Sequence, residues 1–422
     1  MVLAGCSSDP PLTGGKRPVR DEAPTAPAAK AYDPPTAFGE GGVRLVPPHD
    51  DRAEAKLDGT TAYLLTDSSL AAYNTRSGGP LWRVTGPDGM STGVDDRGRV
   101  WQPAVPVVSR SGGRTLVLFA FQYYTEGTGT AKDVSSARLQ AVDAAAGKVA
   151  WTAALPAPPG RSFGDDSAPT VVGVEGDTAV VTVRTEPEDG DAEERSMVTY
   201  AVNMETRHVE WRQDGFEARM VAGGRVVGAQ LPDDAQIDSE RWSADDGGIS
   251  LMARSLTDGT VRWRDSRNLF GLRVNPLGAG LFTARINVEY KEHPEGVILL
   301  DAATGSRPAG MTGDTAAMFT GSNCVYDQRS TLLCGADHGL AALDTHTHKV
   351  LWQITGDDPA REVPDLITAW HGVVYASVAG HGGVLLDAAT GKDRGTYEAG
   401  YLTAVNEYEA LDQDLTVFPA TG

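Results

Sequence analysis

No stretch of this sequence approaches the ~18 consecutive apolar residues of a membrane-crossing helix. The longest apolar run, TLVLFAFQYY at Thr115–Tyr124, has the length of a strand. Helical spacing over ten or more residues is also missing, so the chain reads as all-β. Basic residues are few, 37 against 57 acidic, for a net charge of −20. That field repels phosphate and argues against a nucleic-acid partner. H-E-x-x-H, the phosphate-cradling glycine patterns and D-x-D-x-D-G are absent, which removes the usual zinc-protease, nucleotide and calcium-loop signatures. One G-x-S-x-G match exists, GMSTG at Gly89–Gly93 with Ser91 in the nucleophile position. PDG before it and VDDRGR after it read as loop, where a nucleophile elbow needs a strand and then a helix. His346 and His348 fall in a turn, and the acidic clusters FGDDSAP, TGDDPAREVPD and PDDAQIDSERWSADDGG read as solvated loops. No catalytic set and no metal site is expected.

Only three cysteines occur, Cys6, Cys324 and Cys334. Cys6 closes Leu3-Ala4-Gly5-Cys6, where small residues leave the thiol open to diacylglyceryl transfer and the peptide bond before it open to cleavage. Residues 1–6 are therefore read as a residual signal segment with Cys6 as the lipidated residue. Residues 7–42 are rich in Pro, Ala, Gly and charge without apolar periodicity, and read as a disordered tether. Such a segment reaches roughly 35 Å as a coil and ~110 Å as polyproline II. Cys324 and Cys334 lie ten apart, on either side of the turn-like DQRS, and are expected to staple a hairpin in an extracytoplasmic setting.

The rest, 43–422, repeats itself. AVDAAAGKVAW ends at Trp151, AVNMETRHVEW at Trp211 and ALDTHTHKVLW at Trp352. AYNTRSGGPLW and ARSLTDGTVRW end at Trp82 and Trp263, while LLDAATGSRPA and LLDAATGKDRG lack the tryptophan. Aligned on the Asp-like position, the copies fall at Asn74, Asp143, Asn203, Ser255, Asp301, Asp344 and Asp387, and their spacing shrinks from 69 to 43 residues. In each copy an apolar strand ends in an Asp-like residue that can cap a turn, and the Thr-Gly of D-A-A-T-G supplies the positive φ of a tight hairpin. A returning strand follows. Two more short β-rich runs precede most copies, giving four antiparallel strands in ~43 residues, the unit of a β-propeller blade. YLTAVNEYEALDQDLTVFPATG after the last copy and PTAFGEGGVRLV before the first can build one more blade between them. Eight blades closed by both termini are expected, with seven the alternative; closure removes open sheet edges.

The frame A-x-D-x-x-T-G-x-x-x-W resembles the PQQ-like repeat from Val43 to Gly422. The resemblance implies that Trp82, Trp151, Trp211, Trp263 and Trp352 dock one blade on the next. Trp101 and Trp242 fall in insertions outside the frame and are read as possible partner contacts. Relatives with this repeat include quinoprotein alcohol dehydrogenases, outer-membrane assembly lipoproteins, kinase sensor domains and PQQ-like lipoproteins of GC-rich Gram-positive bacteria. The adjacent cysteine pair that the dehydrogenases place over the quinone is missing here, so no cofactor is expected. Lipobox, tether and propeller together imply a monomeric, non-catalytic scaffold, lipid-anchored outside the cytoplasm, that binds an envelope or membrane protein. A small-molecule or glycan sensor using the propeller channel and a quinone-dependent dehydrogenase are the alternatives.

Overall fold

The structure, a computed structural model, describes residues 29–47, 52–87, 89–93, 105–130, 134–164, 169–188, 195–238, 241–288, 296–308, 311, 318–319, 323–336 and 339–422. No helix occurs among them; all regular structure is antiparallel strand, arranged as eight blades in a ring. From the inner strand outwards, blade 1 is Glu54–Asp58, Thr61–Leu65, Ser69–Asn74 and Pro80–Thr85. Blade 2 is Val107–Ser111, Arg114–Thr125, Val134–Asp143 and Lys148–Leu155. Blade 3 is Thr170–Glu175, Thr178–Pro187, Ser196–Asn203 and Val209–Asp214. Blade 4 is Phe216–Ala222, Arg225–Gln230, Ser250–Ser255 and Val261–Arg264, and blade 5 contains Gly271–Gly278, Leu281–Asn287 and Gly296–Asp301. Blade 6 is Asn323–Tyr326, Thr331–Ala336, Gly339–Asp344 and Val350–Thr355. Blade 7 is Asp365–Trp370, Val373–Val378, Gly382–Asp387 and Asp393–Tyr397. Blade 8 takes Leu402–Val405, Glu409–Asp412 and Thr416–Pro419 from the C-terminal end and Val43–Arg44 from the N-terminal end. The expected eightfold ring closed by both chain ends is the one observed.

The blurred alternation of the strands follows from this packing. Third strands are covered by both neighbouring blades, so every residue of Ser250–Ser255 is buried. Fourth strands have one wet face, and Val209–Asp214 alternates accordingly. The buried apolar side chains fall into eight clusters, each lying chiefly across one junction between neighbouring blades.

At the junctions the repeat motif becomes geometry. The Asp-like carboxylate or amide caps its own turn: Asp143 Oδ1 accepts the N–H groups of Ala145 and Ala146 at 3.1 and 2.9 Å. The tryptophan then reaches the next blade's turn. Trp82 Nε1–H donates to Ala144 O at 2.8 Å, Trp211 to Leu256 at 2.8 Å, Trp263 to Ala302 at 2.9 Å and Trp352 to Ala388 at 2.8 Å. Each acceptor directly follows the Asp-like residue of its blade. Trp151 is buried in the junction of blades 2 and 3, in one cluster with Met204.

Two junctions without tryptophan use the N-terminal segment. Phe38 packs against Tyr375 and Tyr397, with ring centroids 6.0 and 6.1 Å apart, and the Tyr375 hydroxyl donates to Pro35 O at 2.6 Å. Tyr32 N–H donates to Glu407 O and Thr36 N–H to Gly422 O, both at 2.7 Å. Asp33 pairs with Arg329 at 2.7 Å and contacts His371 Nδ1. The folded body therefore begins near Tyr32, ahead of the Val43 boundary expected from composition. Pro-rich sequence masked a segment whose backbone groups and few aromatic rings complete the last blades. Cys6 and the rest of residues 1–28 lie outside the described residues.

Candidate functional site

The strand order places the turns between first and second strands, and between third and fourth, on one face of the ring. Their mutual hydrogen bonds confirm it: Thr75 N–H donates to Thr60 O, Leu256 N–H to Gly224 O and Ala388 N–H to Gly372 O, at 3.2, 2.9 and 2.9 Å. These are short turns, and the segment at Tyr32–Ala37 bonds to this face. The connections on the opposite face include the long ones, between Thr85 and Val107, Leu155 and Thr170, Pro187 and Ser196, Gln230 and Ser250, and Asn287 and Gly296. Strands Arg114–Thr125 and Val134–Asp143 of blade 2, 12 and 10 residues long, also run out on this loop-bearing face.

Beside that extended hairpin, between blades 2 and 3, lies a cleft of ≈ 660 Å³. Its walls combine Tyr123 and Arg138 from the hairpin with Leu155, Arg161, Phe163 and Glu188. The Arg138 guanidinium lies 4.9 Å from the Tyr123 ring centroid and donates to the Tyr123 hydroxyl at 2.6 Å. Arg161 is held by Thr185, whose hydroxyl and carbonyl oxygens accept from it at 2.9 and 3.2 Å. Rigid aromatic and guanidinium groups flank apolar wall, the mixture enriched at protein-recognition sites. Tyr124, at the hairpin's end, is 47% exposed. These residues come from segments up to 65 positions apart in sequence. The one sequence signal for them is the length of the apolar run at Thr115–Tyr124.

Trp242, expected as an exposed contact, is only 1% exposed, which corrects that reading. The insertion carrying it folds into a hairpin, Gln236–Asp238 with Arg241–Ser243, and pairs with the inner strand of blade 5. This register turns the indole into the junction of blades 4 and 5, where Nε1–H donates to Glu217 Oε2 at 2.8 Å. Arg219 Nε balances the same buried carboxylate at 3.0 Å. Trp101 lies outside the described residues.

The remaining expectations resolve locally. Cys324 and Cys334 face each other across the first hairpin of blade 6 and form a disulfide. Ser91 Oγ–H donates to Asp67 Oδ1 at 2.8 Å, and Thr92 N–H donates to the same oxygen at 2.9 Å. That contact ties the loop after blade 1 to the blade's own turn, and Ser91 sits on the two-residue strand Met90–Ser91. The backbone N–H of His346 is capped by Asp344 Oδ1 at 3.1 Å. No group of three or more metal-ligating side chains occurs among the described residues.

The sequence profile described as "Outer membrane protein assembly factor BamB" matches residues 66–308. No curated protein matches. Among solved structures, a eukaryotic initiation factor shares 10% identity, with 90% of this chain and 88% of that chain covered and a TM-score of 0.45. The europium-containing methanol dehydrogenase shares 12%, with 90% and 83% covered and a TM-score of 0.40. Quinohemoprotein alcohol dehydrogenase ADHIIG of Pseudomonas putida HK5 shares 13%, with 90% and 71% covered and a TM-score of 0.39.

Proposed function

The chain belongs to the family described as outer membrane protein assembly factor BamB, and from that premise we propose that it is a non-catalytic binding scaffold, held outside the cytoplasm by a lipid on Cys6. The observation that carries this reading is the division of labour between the two faces. The N-terminal segment docks on the short-turn face, while long connections and the extended blade 2 hairpin leave the other. A tether on one face leaves the opposite face directed towards a partner, and loops on a rigid ring are the usual place for recognition. The cleft at Tyr123, Arg138, Arg161 and Phe163 is the part of that face best built for an envelope or membrane protein. Catalysis has no such support: Ser91 serves a loop contact, and the chain lacks adjacent cysteines.

Site-specific photo-crosslinking in membranes tests the reading. A photoreactive residue at position 124 should yield one defined adduct, and one at position 76 on the short-turn face should not. Adducts equal in identity and yield at both positions would remove the case for a recognition face. Dye reduction by the purified protein with added pyrroloquinoline quinone and Ca²⁺ would instead make it an enzyme.

A further inference from the structure

Seven junctions of the ring join units consecutive in sequence; the eighth joins blade 8 to blade 1, between residues 334 positions apart. There the side chain of Glu409 is buried, 2% exposed. Its Oε2 lies 2.6 Å from Thr75 Oγ1, and the same hydroxyl lies 2.9 Å from the carbonyl oxygen of Thr60. The other carboxyl oxygen, Oε1, has no hydrogen-bond partner among the described residues.

A threonine hydroxyl has one hydrogen to donate. With Glu409 ionised, Thr75 can satisfy the carboxylate or Thr60, not both, and the charge on Oε1 meets no donor. With Glu409 protonated on Oε2, its O–H donates to Thr75 Oγ1, and Thr75 donates onwards to Thr60. Both short contacts are then hydrogen bonds, and no buried charge remains to be compensated. We propose that Glu409 is a neutral carboxylic acid that latches blade 8 to blade 1, and that loss of its proton loosens the closure of the ring.

The charged neighbours oppose one another. Arg76, on the blade 1 turn, favours the ionised form, and Glu407, on the blade 8 turn, disfavours it. Asp58 on the adjoining blade 1 turn is engaged by Arg110 at 2.6 Å. Burial is the largest influence; it outweighs the lowering by the Thr75 contact and by Arg76 and pushes the Glu409 carboxyl up to about 7. The folded state therefore holds this proton more tightly than the unfolded chain. The stabilisation is complete below the ordinary value of 4.5 and is lost as pH rises through about 7.

Glu409→Gln keeps a donor to Thr75 and cannot ionise. Denaturant unfolding of both proteins between about pH 4.5 and 8 isolates the latch, because every other titration cancels in their difference. The folding equilibrium of the variant relative to wild type should rise with pH, by on the order of a hundredfold across this window. A difference independent of pH would overturn the proposal. If the variant does not fold, ¹³C spectra of glutamate-labelled wild type decide: one carboxyl titrating near 7 is expected, and all of them titrating in the ordinary glutamate range would overturn it. Hydrogen exchange above about pH 7.5 should quicken first in Val43–Arg44 and Leu402–Val405; uniform quickening over all blades would refute loosening at the closure.

Discussion

At the scale of single residues, the repeat couples a tryptophan to a glycine in the next blade. A Cβ on Gly391 would come within 2.6 Å of the Trp352 indole, and one on Gly147 within 2.3 Å of Trp82. Both glycines also have positive φ, 67° and 62°. His348 occupies the same turn position at φ 57°, and the preceding copy is one of the two lacking tryptophan. The close approach, more than the dihedral, thus demands glycine. Arg207 is the exception, at φ 64° one blade after Trp151. Gly391→Ala should cost about 2–4 kcal/mol, combining left-handed strain with overpacking. His348→Gly should fall within about 1 kcal/mol of neutral, on the stabilising side, since relief of strain and added chain entropy oppose each other. Urea unfolding of the two variants compares them directly, and similar losses would break the coupling. The docked indoles obey one rule inside or outside the repeat frame. Trp211→Ala and Trp242→Ala should each cost about 3–5 kcal/mol, and a loss below about 1 kcal/mol at Trp242 would return it to the surface.

Single strands and hairpins show why some of this was legible in the sequence. Blade hairpins are local: an Asp or Asn cap, such as Asp344 Oδ1 accepting from Thr347 N–H at 2.7 Å, needs only neighbouring residues. The disulfide is equally local, bridging directly paired residues of one hairpin. Sequence reasoning fails at Trp242 because its burial depends on pairing with Leu272 of another blade, and no spacing inside the insertion encodes that partner. The same limit hid the cleft, whose walls meet only after blades 2 and 3 pack. Replacing Cys324 and Cys334 by serine should remove about 2.8 kcal/mol, the chain-entropy value for a loop of this size. The circular dichroism spectrum should stay unchanged, because the surrounding strands of blade 6 remain paired. Labelling of both thiols in the folded, non-reduced protein would show that the staple is not formed.

The whole ring depends on contacts that repeats cannot announce. The copies marked seven blades and the segments flanking them an eighth, but the junctions beside blade 8 are held by unique residues: Phe38, Tyr375 and Tyr397 on one side, Glu409, Thr75 and Asn406 on the other. Residues Tyr32–Arg44 serve both, crossing the short-turn face and then supplying the outermost strand of blade 8. A version of the protein beginning at Leu45 loses that strand together with Phe38 and the acceptor for the Tyr375 hydroxyl. It leaves the Thr416–Pro419 edge open, and an unpaired apolar edge invites pairing between molecules. Against a version beginning at Ala29, it should melt several degrees lower and scatter light at concentrations where the longer form stays monomeric. The loss should be concentrated in blades 7 and 8, where hydrogen exchange would quicken while blades 3 and 4 keep their protection. Equal melting and equal protection in the two versions would mean that the N-terminal strand merely rests on a ring already closed.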